Sequence, residues 1–245
     1  MTIRDFRSKY AGSLMGVFWT VINPLLLLAV FSFVGIAVVK VKFGDHPGTN
    51  ALYIFCGILP WLAFQDGVAR STSIIVENRN LVTRARFPAS VLPVHPVLSS
   101  FFSQLVGTAV LVALAIFVTR SVGPPLLLLP LLFALQLLLT FGICLVVGPV
   151  SVYVRDVAHV MPVILLVWMF GTPIFYQVEM VPEVFRALVL ANPVAGLIEC
   201  YRAAILDGSW PAPVHLAVPA AWTAVFLVLG DLSFRKLRQG LADRL

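Results

Sequence analysis

Charged side chains are rare in this chain, 11% of 245 residues, yet Glu77, Arg79, Arg84 and Arg86 fall within ten positions of one another. They belong to VENRNLVTRARFPASVLPV, Val76 to Val94, which lies between two strongly apolar regions and carries the stop Phe87-Pro88. Charges of both signs at this spacing serve either a solvated loop or a docking surface that orients a partner through charge pairs. Little else in the sequence is reactive. It contains no G-x-x-x-x-G-K-[ST] phosphate loop, no G-x-S-x-G, no H-E-x-x-H and no Cys/His cluster of ligand spacing. His46, His95, His159 and His215 are scattered and read as loop or packing residues. Cys56, Cys144 and Cys200 are odd in number and lack metal-type spacing, so neither a metal site nor a disulfide framework is expected.

The elements that hold these residues follow from composition. The chain is 60% hydrophobic with a mean hydropathy of +0.99. Soluble domains average about 45–50% apolar and about 25% charged residues, so a polar surface cannot be built from this set. Apolar runs near the bilayer length of about 20 residues recur, continuous rather than alternating, which makes helices the spanning elements. The expectation is an all-α integral membrane protein forming a single transmembrane domain over 1–245. Six spans are read, at about Val17–Val39, Ala51–Val68, Val91–Val118, Leu126–Val154, Val157–Tyr176 and Val214–Phe234. Six spans put both termini on one side. With that side cytoplasmic, the inner segments hold twelve of the seventeen basic residues, among them Arg70, Arg79, Arg84, Arg86 and Arg155. The positive-inside rule therefore places both termini in the cytoplasm. The net charge of +6 belongs to these loops, and no nucleic-acid partner is expected.

Few polar residues interrupt the spans: Gln65, Asp66, Gln104 and Gln136. Asp66 stands four positions before Arg70, so the two can pair on one helix face. The other reading of an ionisable group there is a lining position of a pathway, and spacing does not separate the two. Aromatic residues gather as Trp61 and Phe64 in span two and as Trp168, Phe170, Phe175 and Tyr176 in WMFGTPIFY, in and after span five. They fit an interfacial belt or a track on which sugar rings stack. Gln177–Pro213 follows, too long for a turn and too apolar for a disordered linker. Pro182 can open one short helix, Asn192-Pro193 breaks it, and Pro193 can open a second that ends near Asp207-Gly208. In the second, Leu197, Tyr201 and Ala204 share a face. The pair either dips back into the membrane from the outer surface or lies flat upon it.

Four stretches, in order along nearly the whole chain, resemble one family: the permease subunits of ABC exporters for cell-surface polysaccharides (O-antigen, capsule and teichoic acid). RSKYAGSLMGVFWTVINPLL is similar to their amphipathic lead-in and first span, through Arg7, Tyr10, Ser13, Gly16, Trp19, Asn23 and Pro24. The Val76–Val94 stretch matches the segment between spans two and three, through Asn78, Leu81, Val82, Arg84, Phe87, Pro88 and Pro93. Arg155-Asp156 with Pro173-Ile174-Phe175-Tyr176, then Asn192-Pro193 with Tyr201-Arg202, match the fifth span and the re-entrant region, and LADRL is a typical ending. Met15 stands where the family more often carries Leu, and Arg84 where Lys is commoner.

The resemblance implies a homodimer of six-span subunits with a pore on the dimer axis, and two copies of a separate ATPase subunit that holds ATP and Mg. This chain is then a transporter permease with no cofactor of its own and not an enzyme. It sits in the cytoplasmic (inner) membrane and moves a lipid-linked polysaccharide. Residues 1–16 become a cytoplasmic amphipathic segment, where Arg4, Arg7 and Lys9 meet the lipid diphosphate. Residues 70–90 become the coupling segment, with Glu77, Asn78, Arg79 and Arg84 orienting the ATPase and Leu81, Val82, Phe87 and Pro88 anchoring and ending the element. Trp61, Phe64, Trp168, Phe170, Phe175 and Tyr176 line the glycan path. Residues 177–213 form the outer gate, carried by Asn192, Pro193, Leu197, Tyr201 and Arg202, and cysteines near Leu197 and Tyr201 are expected to crosslink between the two copies. A small-molecule exporter with a related permease plan, and a membrane-embedded glycosyl or acyl transferase, are the alternatives. The second would need activity from this chain alone.

Overall fold

A computed structural model describes residues 47–80, 89–119 and 123–244, together with Ile22, Leu25, Leu26, Ala29, Val30 and Phe33, which are helical. Residues 1–16, with Arg4, Arg7 and Lys9, and most of the first expected span lie outside the described residues. So do Leu81, Val82, Arg84, Phe87 and Pro88. Among the described residues the chain is helical, with no strand. The helices are α1 (Pro47–Ser71), α2 (Ile74–Glu77), α3 (Val94–Thr119), α4 (Leu129–Tyr153), α5 (Asp156–Phe170), α6 (Glu183–Leu190), α7 (Pro193–Arg202) and α8 (Pro213–Arg244).

Four of these are long and apolar enough to cross a membrane: Thr49–Ser71, Val94–Val118, Pro124–Tyr153 and Pro213–Leu237. A fifth candidate is the bent pair Glu183–Leu190 and Pro193–Asp207, whose two arms meet at 85°. Prolines inside α1, α4, α5 and α8 leave the helices continuous, as happens in membranes where neighbours re-satisfy the freed carbonyls.

Two spans differ from expectation. The fifth, read as Val157–Tyr176, is helical only over the fifteen residues Asp156–Phe170. Gly171 and Thr172 close it with bonds to the Val167 and Met169 carbonyls, and Pro173 cannot continue a helix because it lacks an N–H. At 1.5 Å per residue α5 reaches about 22 Å, short of the roughly 30 Å hydrocarbon core. The last helix overshoots instead, running ten residues past Phe234 to Arg244. Its charged end stays helical, with Asp231 and Arg235 paired at 2.9 Å one turn apart.

α1 lies at the centre of the bundle, with Phe55, Cys56, Trp61, Phe64 and Val68 fully buried. It packs on α3 and α4, while α8 packs along α4. The α4–α8 crossing is made close by glycines. A Cβ at Gly230 would lie 2.7 Å from the Gly142 carbonyl and 2.8 Å from Leu145 Cβ, and one at Gly142 would lie 2.9 Å from the α8 backbone. Without a hydrophobic drive between helices in lipid, such contact of backbones is a main source of association.

The loops sort onto two ends. At one end Ile74, Ile75, Leu92, Leu145, Val152 and Phe234 form a small core that joins α2 to the ends of α4 and α8. Tyr153 adds a hydrogen bond to the Leu237 carbonyl at 2.8 Å. At the other end Gly123, before α4, approaches Gly208, after α7. Gly208 has φ of 59°, a left-handed value that favours glycine, and it ends α7 after its last turn widens over Ala203–Asp207.

Candidate functional site

The bent pair and the end of α5 form one hydrogen-bonded unit. Asn192 occupies the break and caps α7, its Oδ1 accepting from the Val194 N–H at 3.0 Å. Pro193 follows at the first helical position, where its missing N–H costs nothing. The same Oδ1 accepts from the Trp168 indole N–H at 3.0 Å. Asn192 Nδ2 donates to Thr172 Oγ1 at 2.9 Å and to the Gly171 carbonyl at 3.3 Å. From α8, the Trp222 indole donates to the Ala191 carbonyl at 2.9 Å.

Of the six aromatic residues expected to line a path, the structure divides three from three. Trp61 and Phe64 are fully buried, 5.5 Å apart, and Phe64 meets half-buried Trp168 edge-on at 5.2 Å. Phe170 is exposed and lies 6.5 Å from Phe175, and the Tyr176 hydroxyl donates to the Phe170 carbonyl at 2.9 Å. The outer trio thus presents an aromatic surface, while Trp61 and Phe64 support Trp168 from behind.

α7 is built into the bundle. All but Glu199 of its ten residues are buried, and Leu197, Tyr201 and Ala204 do share an inward face. That face is covered within the chain itself, by Gln136 and Gln104 among others. The most exposed apolar side chains of α6 are Val184, Phe185 and Leu188, and Met180, Leu190 and Trp210 of the same segment are exposed too.

Two polar knots hold α7. The Tyr201 hydroxyl donates to Gln136 Oε1 at 2.9 Å; Gln136 and Gln104 exchange amide bonds at 3.0 Å; Gln136 Nε2 also donates to the Pro60 carbonyl at 2.9 Å. One cluster therefore joins α1, α3, α4 and α7. Arg202, also buried, reaches Glu199 Oε1 at 2.7 Å and the Ile174 carbonyl at 3.0 Å, with its guanidinium 3.5 Å from the Tyr53 ring centre. Polar bonds between membrane helices are worth about 0.6 kcal/mol on average and up to about 1.7. Tyr201→Phe is expected to lower the stability of the detergent-solubilised chain by an amount in that range, read as a small drop in melting temperature.

At the opposite end, α2 lies within the stretch expected to be a coupling segment, of which residues 70–80 and 89–90 are described. Ile74 and Ile75 anchor it, Glu77 and Arg79 are exposed, and Asn78 Nδ2 donates to the Ile74 carbonyl at 2.8 Å. Ser73 Oγ donates to Glu77 Oε1 at 2.6 Å, which fixes where that carboxylate stands. The Asp66–Arg70 pair forms at 3.7 Å, and Ser100 Oγ also donates to Asp66 at 2.6 Å. Among the described residues no group of three or more His, Cys, Asp or Glu is placed to hold a metal ion.

Sequence reasoning missed Trp222, Thr172 and the pairing of Gln104 with Gln136. An indole within a span and two glutamines at matching depth were the available signals, but spacing along one helix says nothing of a partner on another.

The family model for the ABC-2 type transporter matches residues 1–206. The chain is similar to the O-antigen export system permease protein RfbA of Myxococcus xanthus, 28% identical over 98% of this chain and 92% of the relative. A Klebsiella pneumoniae protein of the same name is 24% identical over 99% of this chain and 92% of its own length. The polysialic acid transport protein KpsM of Escherichia coli is 23% identical over 98% and 92%.

Proposed function

We propose that this chain, which belongs to the ABC-2 type transporter family, is the membrane subunit of an ATP-driven exporter that moves a lipid-linked polysaccharide of the O-antigen type across the cytoplasmic membrane. The observation that carries the reading is the match to polysaccharide permeases over 98% of the chain or more. The finer picture is a dimer of six-span subunits with both termini cytoplasmic and two ATPase subunits docked beneath. In the small core joining α2, α4 and α8, the coupling segment has a firm base in the bundle, which suits a part that transmits force. Its exposed Glu77 and Arg79, with Asn78, Leu81, Val82, Arg84, Phe87 and Pro88, meet the ATPase. Arg4, Arg7 and Lys9 receive the lipid diphosphate.

The glycan leaves past Trp168, Phe170, Phe175 and Tyr176, with Trp61 and Phe64 as backing. Gln177–Pro213 is the outer gate. Its dipping form is favoured over a flat one by depth. α5 ends about 8 Å short of a full crossing, and the break at Asn192 bonds to that recessed end. Trp222, which bonds the same break, lies nine residues into α8, about 13 Å along its axis. Irregular backbone at such depth survives only when surrounded by protein.

The reading is tested in cells. Deleting the chain is expected to remove the surface glycan and leave it lipid-linked inside. Glu77→Lys is expected to cut surface glycan about tenfold, the effect of roughly 1.4 kcal/mol at a docking contact, without changing the amount of protein in the membrane. Normal surface glycan in the deletion strain ends the reading.

A further inference from the structure

The two arms of the bent pair are held very unequally. α7 is buried and tied by Tyr201 and Arg202 to α1, α4 and the Ile174 carbonyl. On α6 only Val189 is buried, and Val184, Phe185 and Leu188 are exposed. Its chief contacts are with α7 and with the turn before it, Val178–Met180. Arg186 fastens that turn to α6 by donating to the Glu179 and Val181 carbonyls, each at 3.3 Å. Val178–Leu190 is therefore a unit in itself, joined to the rest by the chain at Tyr176-Gln177 on one side and by Ala191-Asn192 on the other. Both residues of that joint are held from outside by an indole N–H: Ala191 by Trp222 of α8, Asn192 by Trp168 of α5.

We propose that Ala191-Asn192 is a pivot about which the outer arm, Val178–Leu190, swings while α7 stays fixed, and that Asn192 is a positioning residue coupling this pivot to the ring of Trp168. The proposal rests on the reading of this segment as the outer gate and says which part of it moves. Hinges are typically a few residues at element ends that absorb the backbone change. The Trp168 ring stands at the border of the exposed aromatic surface, and its N–H is spent on the joint. A sugar ring that stacks on this indole and turns it pulls the N–H from Asn192 Oδ1 and frees the arm. The glycan thereby opens its own exit.

Hydrogen exchange on the full-length chain in lipid nanodiscs tests this. Asn192→Ser is the informative variant, because a serine at this position still caps α7 but is too short to reach the indole. Exchange in peptides covering 183–190 is expected to rise at least tenfold, since the serine gives up the bonds to Thr172 and Gly171 as well as the one from the indole, with 194–202 unchanged. Trp168→Phe, which removes the indole bond alone, is expected to raise exchange in the same peptides about tenfold, and the double variant to give no more than Asn192→Ser alone. In protein carrying 5-fluorotryptophan, Asn192→Ser is expected to shift the fluorine resonance of Trp168, identified by its loss in Trp168→Phe. Equal acceleration of both arms, or none in 183–190, overturns the pivot. If the arm is freed as expected and glycan export is unaltered, the pivot stands and the outer-gate reading falls.

Discussion

Purified by itself, this chain is expected to hydrolyse no ATP, and to move glycan only when joined by a separate ATPase subunit. The difference is all or none. A phosphate loop places successive backbone N–H groups and a lysine around the nucleotide phosphates, and no such run exists in the sequence. The assay is phosphate release by the detergent-solubilised chain, with and without the ATPase, followed by glycan uptake into inverted proteoliposomes. Hydrolysis that co-purifies with the chain alone and survives removal of every other protein would overturn the reading.

Much of this was legible in advance, and the reason is physical. Continuous apolar runs must be helices in lipid, so α1, α3, α4 and α8 were readable from hydropathy. Asn192-Pro193 was readable as a break, because proline at a first helical position after a capping residue is a local signal. Asp66 and Arg70 pair because four residues is one helical turn. What escaped depends on contacts between distant segments. Gln136 meets Gln104, Tyr201 and the Pro60 carbonyl from three other helices, and nothing in the spacing of any one helix encodes that meeting. The shortness of α5 was foreseeable in part from Gly171 and Pro173, yet the apolar character of Ile174, Phe175 and Tyr176 outweighed them.

The second large effect is expected at the α4–α8 crossing. Gly230→Ala places a methyl 2.7 Å from the Gly142 carbonyl and 2.8 Å from Leu145 Cβ. Neither is the far end of a flexible side chain, so the helices must part. Overpacking of this kind costs about 1–3 kcal/mol, and a contact with backbone belongs at the upper end. Gly230→Leu should be worse still and leave little folded protein. Gly171→Ala is the control, since its nearest atoms would lie 3.5 and 3.6 Å away, at ordinary contact distance. The measurement is the fraction of monodisperse protein that survives heating in detergent. Equal melting of Gly230→Ala and Gly171→Ala would remove the close crossing from the account of what holds the bundle together.

The recessed end of α5 has a consequence for the membrane itself. Val160, Val163, Ile164, Leu166, Val167 and Phe170 point away from the rest of the chain, over a length about 8 Å less than the hydrocarbon core. Wherever lipid borders this helix, the bilayer must thin to meet it, at a cost of fractions of a kcal/mol per Å. Shorter acyl chains relieve that mismatch and longer ones deepen it. The working rate of this protein is therefore expected to follow the thickness of the membrane around it, through the length of one helix that stops about a turn and a half early.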